Sequence, residues 1–108
     1  RSIWTEVTSM GNNVNVIAAG AYHSLALKSG KLYVTGENDG AQLGLGNLTN
    51  IYSWTEVTSM GNNVTAVTGG VYHSLALKSD NTLWGAGSNS YGQLGNTTIL
   101  YSWAMIVE

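Results

Sequence analysis

The sequence predicts an all-β fold in which a four-stranded unit is built twice. Three observations carry that expectation. The stretch WTEVTSMGNNV occupies Trp4 to Val14 and recurs unchanged at Trp54 to Val64; YHSLALKS occupies Tyr22 to Ser29 and returns at Tyr72 to Ser79, again fifty residues later. Short apolar–polar alternations and β-branched runs are bounded throughout by Gly, Asn, Asp and Ser, which is the period of strands and the punctuation of turns. No segment holds a helical period of about 3.6 residues for two turns free of glycine, whereas the 14 glycines recur in register with the repeat.

Taken in order, each unit opens on WTEVTSM, whose alternation reads as a strand. GNN follows at Gly11 to Asn13 and Gly61 to Asn63, and suits a turn because Gly and Asn accept positive φ cheaply. The second strand is VNVIAAG, with VTAVTGG in the other copy. The third is HSLALK in both. A two-residue hairpin turn is expected at Ser29–Gly30, one residue longer at Ser79 to Asn81, leading to a fourth strand, KLYVTG or TLWGAG. The sequence ENDGAQLGLGN, matched by SNSYGQLGN, then connects to the next unit. These marks place repeat 1 at about 4–53, repeat 2 at about 54–102 and the start of a third at 103–108, where Tyr101, Ser102 and Trp103 match Tyr52, Ser53 and Trp54. Counted this way there are two four-stranded antiparallel sheets plus one extra strand.

Alternation assigns faces. His23, Leu25 and Leu27 share one side of their strand, with Ser24, Ala26 and Lys28 on the other, and Lys28 is expected at an exposed end. Leu32 and Val34 oppose Tyr33 and Thr35; Leu83 and Gly85 oppose Trp84 and Ala86. Both faces carry apolar weight, so each sheet wants a neighbour on both sides, as in stacked blades.

Composition excludes several function classes. Charged residues are 9% of the chain and the net charge is −2. The only basic residues are Arg1, Lys28, Lys31 and Lys78, which form no run, so neither a nucleic-acid footprint nor a polybasic membrane patch is expected. No apolar run approaches the ~20 residues of a membrane helix, and membrane insertion is not expected. Asn, Ser and Thr number 11 each and supply the polar surface, a composition that leans towards an extracellular or virion surface. There is no cysteine, which removes disulfides and thiolate chemistry.

The stretches AAGAYHSLALKSGKLYVTGENDGAQLGLG and TGGVYHSLALKSDNTLWGAGSNSYGQLG resemble the repeat of the regulator of chromosome condensation family. That repeat is of about this length and carries an HSLAL element followed by an N..GQLG element. The resemblance covers nearly the whole chain and occurs twice in register. It implies a β-propeller, each blade a four-stranded antiparallel sheet. The departures are Ala41, where the second copy has Gly92, and Val34–Thr35 in a strand that is usually richer in aromatic residues and glycine. If the Ala41 site requires positive φ, a rearranged turn is expected in the first copy. The nucleotide-exchange members of the family use a protruding wedge, and no inserted segment here supplies one, so that activity is not carried over.

His23 and His73 are repeat-equivalent, and equivalent positions in neighbouring sheets lie ~10 Å apart. Zinc needs its ligands at about 2 Å from one point. No metal, cofactor or catalytic residue is therefore expected, and both histidines read as struts whose rings bond backbone near the Gly20 and Gly70 turns. Ser24 and Ser74 each follow a histidine on a strand, and such neighbours point to opposite faces. Asp39 and Asp80 read as turn formers. Tyr22, Tyr72 and Tyr91, with Asp39, are the candidate binding residues, since turn tyrosines present a broad amphipathic surface to proteins or glycans.

Two sheets alone leave apolar faces uncovered, and repeat arrays need about three units to bury enough. The chain is thus either part of a longer array of repeats or a protomer that closes a ring with copies of itself. The expected function is a non-enzymatic scaffold or binding module whose blade-edge loops recognise a protein or glycan; the alternative is a purely structural, self-assembling repeat.

Overall fold

A computed structural model describes residues 10–11, 13–88 and 100–106. It holds two four-stranded antiparallel sheets, each a simple meander. The first contains β1 (Val14–Ala19), β2 (His23–Lys28), β3 (Lys31–Gly36) and β4 (Ile51–Glu56). The second contains β5 (Val64–Gly69), β6 (His73–Lys78), β7 (Leu83–Gly87) and β8 (Leu100–Met105). Among the described residues no helix is long and apolar enough to cross a membrane.

The blade is out of phase with the sequence repeat. Trp54 and its neighbours open the second sequence unit, yet they pair with β3 as the last strand of the first sheet, with Tyr33 opposite Glu56 and Val34 opposite Thr55. In the same way Trp84 lies opposite Met105 and Gly85 opposite Ala104. The strand Leu100–Met105, which includes the start of the expected third unit, therefore closes the second sheet. The reason is physical. A strand at the start of one unit finds its open backbone edge on the sheet already formed before it, and pairing there satisfies its N–H and C=O groups. The counterpart at Trp4 lies outside the described residues. The strand is also shorter than WTEVTSM suggests: it ends at Glu56, and Thr58–Met60 form a 3₁₀ turn stopped by Gly61 at φ 71°.

Hairpin chemistry follows the sequence closely. Lys28 lies opposite Lys31, and the two residues between them, Ser29 and Gly30, have φ of 54° and 77°. Positive φ at both central positions is the type I′ turn, whose twist matches the strands it joins. In the second blade Asn81 takes the positive φ, and Asp80 Oδ1 accepts hydrogen bonds from the Thr82 hydroxyl and amide. Lys28 is not an exposed end. It is half-buried and donates to the Met10 carbonyl at 2.9 Å.

The core lies between the blades. Leu25, Leu27, Leu32, Val34 and Leu43 come from the first; Val64, Ala76, Ala86 and Trp103 come from the second; Val57 and Met60 come from the connection. The first four are the leucines and valine that alternation set on one side of their strands. The sheets meet closely where β1 and β5 end. There the Ala21 amide donates to the Gly70 carbonyl at 3.2 Å, and a Cβ on Gly20 would stand 2.4 Å from that same oxygen. Only glycine allows so close an approach.

Candidate functional site

The blade ends carry the candidate residues, and two hydrogen-bonded turns shape them. The Tyr22 carbonyl accepts the Glu37 amide at 2.9 Å, and the Tyr72 carbonyl accepts the Ser88 amide at 2.8 Å. Each tyrosine is thereby held on a fixed backbone while its ring points out. Tyr22 is 63% exposed and Tyr72 42%, with Val71 also exposed in the turn next to Tyr72. Tyr72 lies across the turn that carries Asp39: a Cβ added to Gly40 would fall 2.9 Å from the Tyr72 Cβ. The structure thus places Tyr72 beside the exposed Asp39 turn, and Tyr22 at the matching position of the neighbouring blade. Tyr91 lies outside the described residues.

Behind this rim sits a buried cross-blade clasp. His23 Nε2 is 2.9 Å from Ser74 Oγ, and the Ser74 hydroxyl donates to the Gln42 carbonyl at 2.7 Å. Because the serine proton is committed to Gln42, His23 Nε2 must be the donor to Ser74, which leaves Nδ1 as a bare acceptor. That atom is buried without a hydrogen-bond partner, as is Gln42 Nε2. The Ser74 side chain is fully buried.

Strand alternation holds His23 and Ser24 apart, as expected, but reasoning along one strand does not reach the partner on the next blade. The expectation that the ring nitrogens bond backbone near the Gly20 turn is likewise corrected: Nε2 goes to a side chain, and Gly20 serves as the space the ring occupies, its Cβ position lying 2.1 Å from His23 Cε1.

The charge state follows from this packing. Burial holds the His23 pKa below the ordinary imidazole value. Charge on His73 adds to that, and a backbone contact with His73 partly offsets it. His73 is lowered by burial alone. Although a serine beside a histidine is the outline of a nucleophilic pair, the proton runs the wrong way here: the serine donates to a carbonyl, and the imidazole does not accept from it. With Ser74 fully enclosed, no substrate atom can reach its oxygen.

The loop from Glu37 to Asn50 is built around Asn38, which the sequence reading did not single out. Asn38 is fully buried. Its Oδ1 accepts the Leu43 amide at 3.0 Å, and its Nδ2 donates to the Asn47 carbonyl at 2.9 Å. Its own amide donates to Asn50 Oδ1 at 2.8 Å. Gln42 Oε1 accepts the Gly40 amide, and Trp103 Nε1 donates to the Leu43 carbonyl at 3.1 Å, tying the loop to β8. The signal that could have found Asn38 and Gln42 is their recurrence in the second copy's SNSYGQLG. Ala41 keeps φ at 62°. The first copy's turn is therefore not rearranged to avoid positive φ; it accepts the strain, while its methyl group is fully buried.

Among the described residues the remaining carboxylates form no convergent metal-binding group. Asp80 is a turn former, its carboxyl held below the usual range first by the Thr82 hydroxyl and then by the Thr82 amide. Among the described residues no cluster of three or more His, Asp or Glu could hold a metal ion.

Comparison with known proteins places this architecture. The family model described as regulator of chromosome condensation (RCC1) repeat matches residues 29–77, and a second model of the same description matches residues 64–93. Human WBSCR16 matches with a TM-score of 0.77 and 30% identity, over 87% of this chain and 25% of that one. Yeast RCC1 (Prp20), solved bound to Kap60, matches with a TM-score of 0.77 and 23% identity, over 90% of this chain and 26% of that one. Prp20p from Saccharomyces cerevisiae, described with its binding to Gsp1p and histones, matches with a TM-score of 0.74 and 24% identity, over 88% of this chain and 26% of that one. The chain spans about a quarter of the length of these structures. Comparison with curated proteins gives no match. The two sheets are β-propeller blades.

Proposed function

This chain is built of RCC1-type repeats, and from that premise we propose that it is a non-enzymatic scaffold that binds a protein through its blade-end turns. The carrying observation is the pair of exposed tyrosines, Tyr22 and Tyr72, at equivalent positions of adjacent blades, each on a turn fixed by a backbone hydrogen bond. Tyrosine gives contact area with little conformational entropy to lose, and a rigid support lowers the ordering cost of binding. Val71 next to Tyr72 in the same turn and Asp39 beside Tyr72 add an apolar and an acidic element to the same rim. The yeast proteins of this fold are described with protein partners; at their level of identity the likeness carries the partner class and not the partner. His23 and His73 act in this reading as struts behind the rim, and no cofactor takes part.

The test is a quantitative pull-down from an extract of the source organism, using the chain and its Tyr22→Ser/Tyr72→Ser variant as baits. Both substitutions are at exposed turns, so the variant should keep the far-ultraviolet circular dichroism of the parent. A protein partner enriched on the parent should be depleted at least about tenfold on the variant, as for truncation of paired aromatic anchors. Equal retention on both baits removes the tyrosines from the interface. A ligand set consisting only of glycans would replace protein recognition with the glycan reading.

A further inference from the structure

The two blades carry the same sequence, HSLALK, in β2 and β6, but only one copy is covered. In the first blade Leu27 is 1% exposed and Leu32 is fully buried; their counterparts in the second, Leu77 and Leu83, are 39% and 41% exposed. With Ala66, Thr68 and Leu75 they line a shallow apolar groove on the outer face of β5, β6 and β7. The sequence is the same, so the difference comes from the neighbour: the first blade's face is closed by the back of the second, which presents Val67, Ser74 and Ala76.

The opposite side of the chain shows the complementary vacancy. The counterparts of Val67, Ser74 and Ala76 on the back of the first blade are Ile17, Ser24 and Ala26. Val67 packs against the core, whereas Ile17 is 77% exposed. Ser74 makes two hydrogen bonds through its hydroxyl, whereas the Ser24 hydroxyl makes none among the described residues. The ring of His73, counterpart of the clasp donor His23, likewise makes no hydrogen bond among them. One chain therefore carries both halves of an unmade joint on opposite sides, and its own interior shows what the made joint looks like.

We propose that a second copy of this chain docks head to tail on the outer face of the second blade, its Ser24 accepting a hydrogen bond from His73 and its exposed Ile17 covering Leu75, Leu77 and Leu83. The contact is heterologous, so it propagates until a ring closes. About four copies reach the length of one of the matching propellers. This proposal does not depend on recognition by the tyrosine rim, which lies on the blade ends and not on these faces.

The experiment uses the full chain and two blocked variants, Leu83→Asp on the outer face of the second blade and Ser24→Arg on the back of the first. Mass is measured by sedimentation velocity over a range of concentrations. The parent should exceed one chain in mass as concentration rises. Each variant alone should associate at least about tenfold more weakly, because a buried unpaired charge opposes docking. Mixed, the two should form a one-to-one dimer and nothing larger, since each retains the face that the other lacks. That mixing result also separates a blocked face from a misfolded chain. A parent that stays at the mass of one chain at every concentration overturns the proposal and leaves the face to a flanking repeat. An associating parent whose variants fail to pair when mixed overturns the head-to-tail geometry.

Discussion

At the scale of single residues, the clasp of His23, Ser74 and Gln42 shows how a repeat turns one residue type into two environments. Ser24 and Ser74 follow the same histidine in the same strand, and only Ser74 is enclosed by a neighbouring blade. Ser74→Ala removes both the acceptor of the His23 Nε2 proton and the donor to the Gln42 carbonyl, leaving two buried groups unpaired. The expected loss is about 1–3 kcal/mol. Ser24→Ala removes a hydroxyl that makes no hydrogen bond among the described residues and should change stability by less than about 0.5 kcal/mol. Urea denaturation at high dilution, where chains do not meet, measures both. Equal losses would mean that the cross-blade bond contributes nothing of its own. Sequence alone made the histidine conspicuous but pointed its ring at the wrong partner. Alternation along a strand tells which way a side chain faces, not what stands opposite on another sheet.

At the scale of elements, strands and hairpins were legible and the long connection was not. Strand periods and the Ser29–Gly30 turn are local, set by alternation and by which residues accept positive φ. The phase of the blade is not local. Whether Trp54 starts its own sheet or finishes the preceding one depends on which edge is open when it arrives. The connection from Glu37 to Asn50 depends on hydrogen bonds between residues up to twelve apart, centred on the buried Asn38. Composition marks such a stretch as a turn without saying which asparagine holds it. Asn38→Ala leaves the Leu43 amide without its acceptor in a buried site, and should cost about 1–3 kcal/mol. Because Trp103 donates to the Leu43 carbonyl, the loosened loop should also expose the indole. The expected outcome is faster hydrogen exchange at Leu43 and red-shifted tryptophan emission, with exchange in β1 and β2 unchanged. Unaltered Leu43 exchange would show that the loop holds without Asn38. Ala41 sits in the same loop under opposing influences: its left-handed φ is unfavourable by about 1–2 kcal/mol for a residue with a Cβ, while its buried methyl group contributes roughly 0.8 kcal/mol.

At the scale of the whole molecule, the core belongs to neither blade alone. Apolar side chains from both sheets and from the connection meet in one cluster, so the first blade's face is buried only because the second blade exists. Two identical leucines measure this. Leu27 and Leu77 occupy the same place in HSLALK, but Leu27 is 1% exposed and Leu77 39%. Leu27→Ala removes packing from a closed site and should cost about 2–5 kcal/mol, whereas Leu77→Ala removes a partly solvated side chain with no enclosing neighbour and should cost less than about 1 kcal/mol in the isolated chain. Local sequence is held constant in this comparison, so the difference isolates the contribution of blade stacking. Chemical denaturation at low concentration gives the isolated values, and similar losses at the two sites would refute the stacking account. Repeating the measurement at concentrations where copies dock should raise the Leu77→Ala cost towards that of Leu27→Ala, because association stabilises the folded chain by mass action and the substitution weakens that association. A gap between the two leucines that stays constant with concentration would separate the internal interface, which the fold contains, from the external one, which it leaves open.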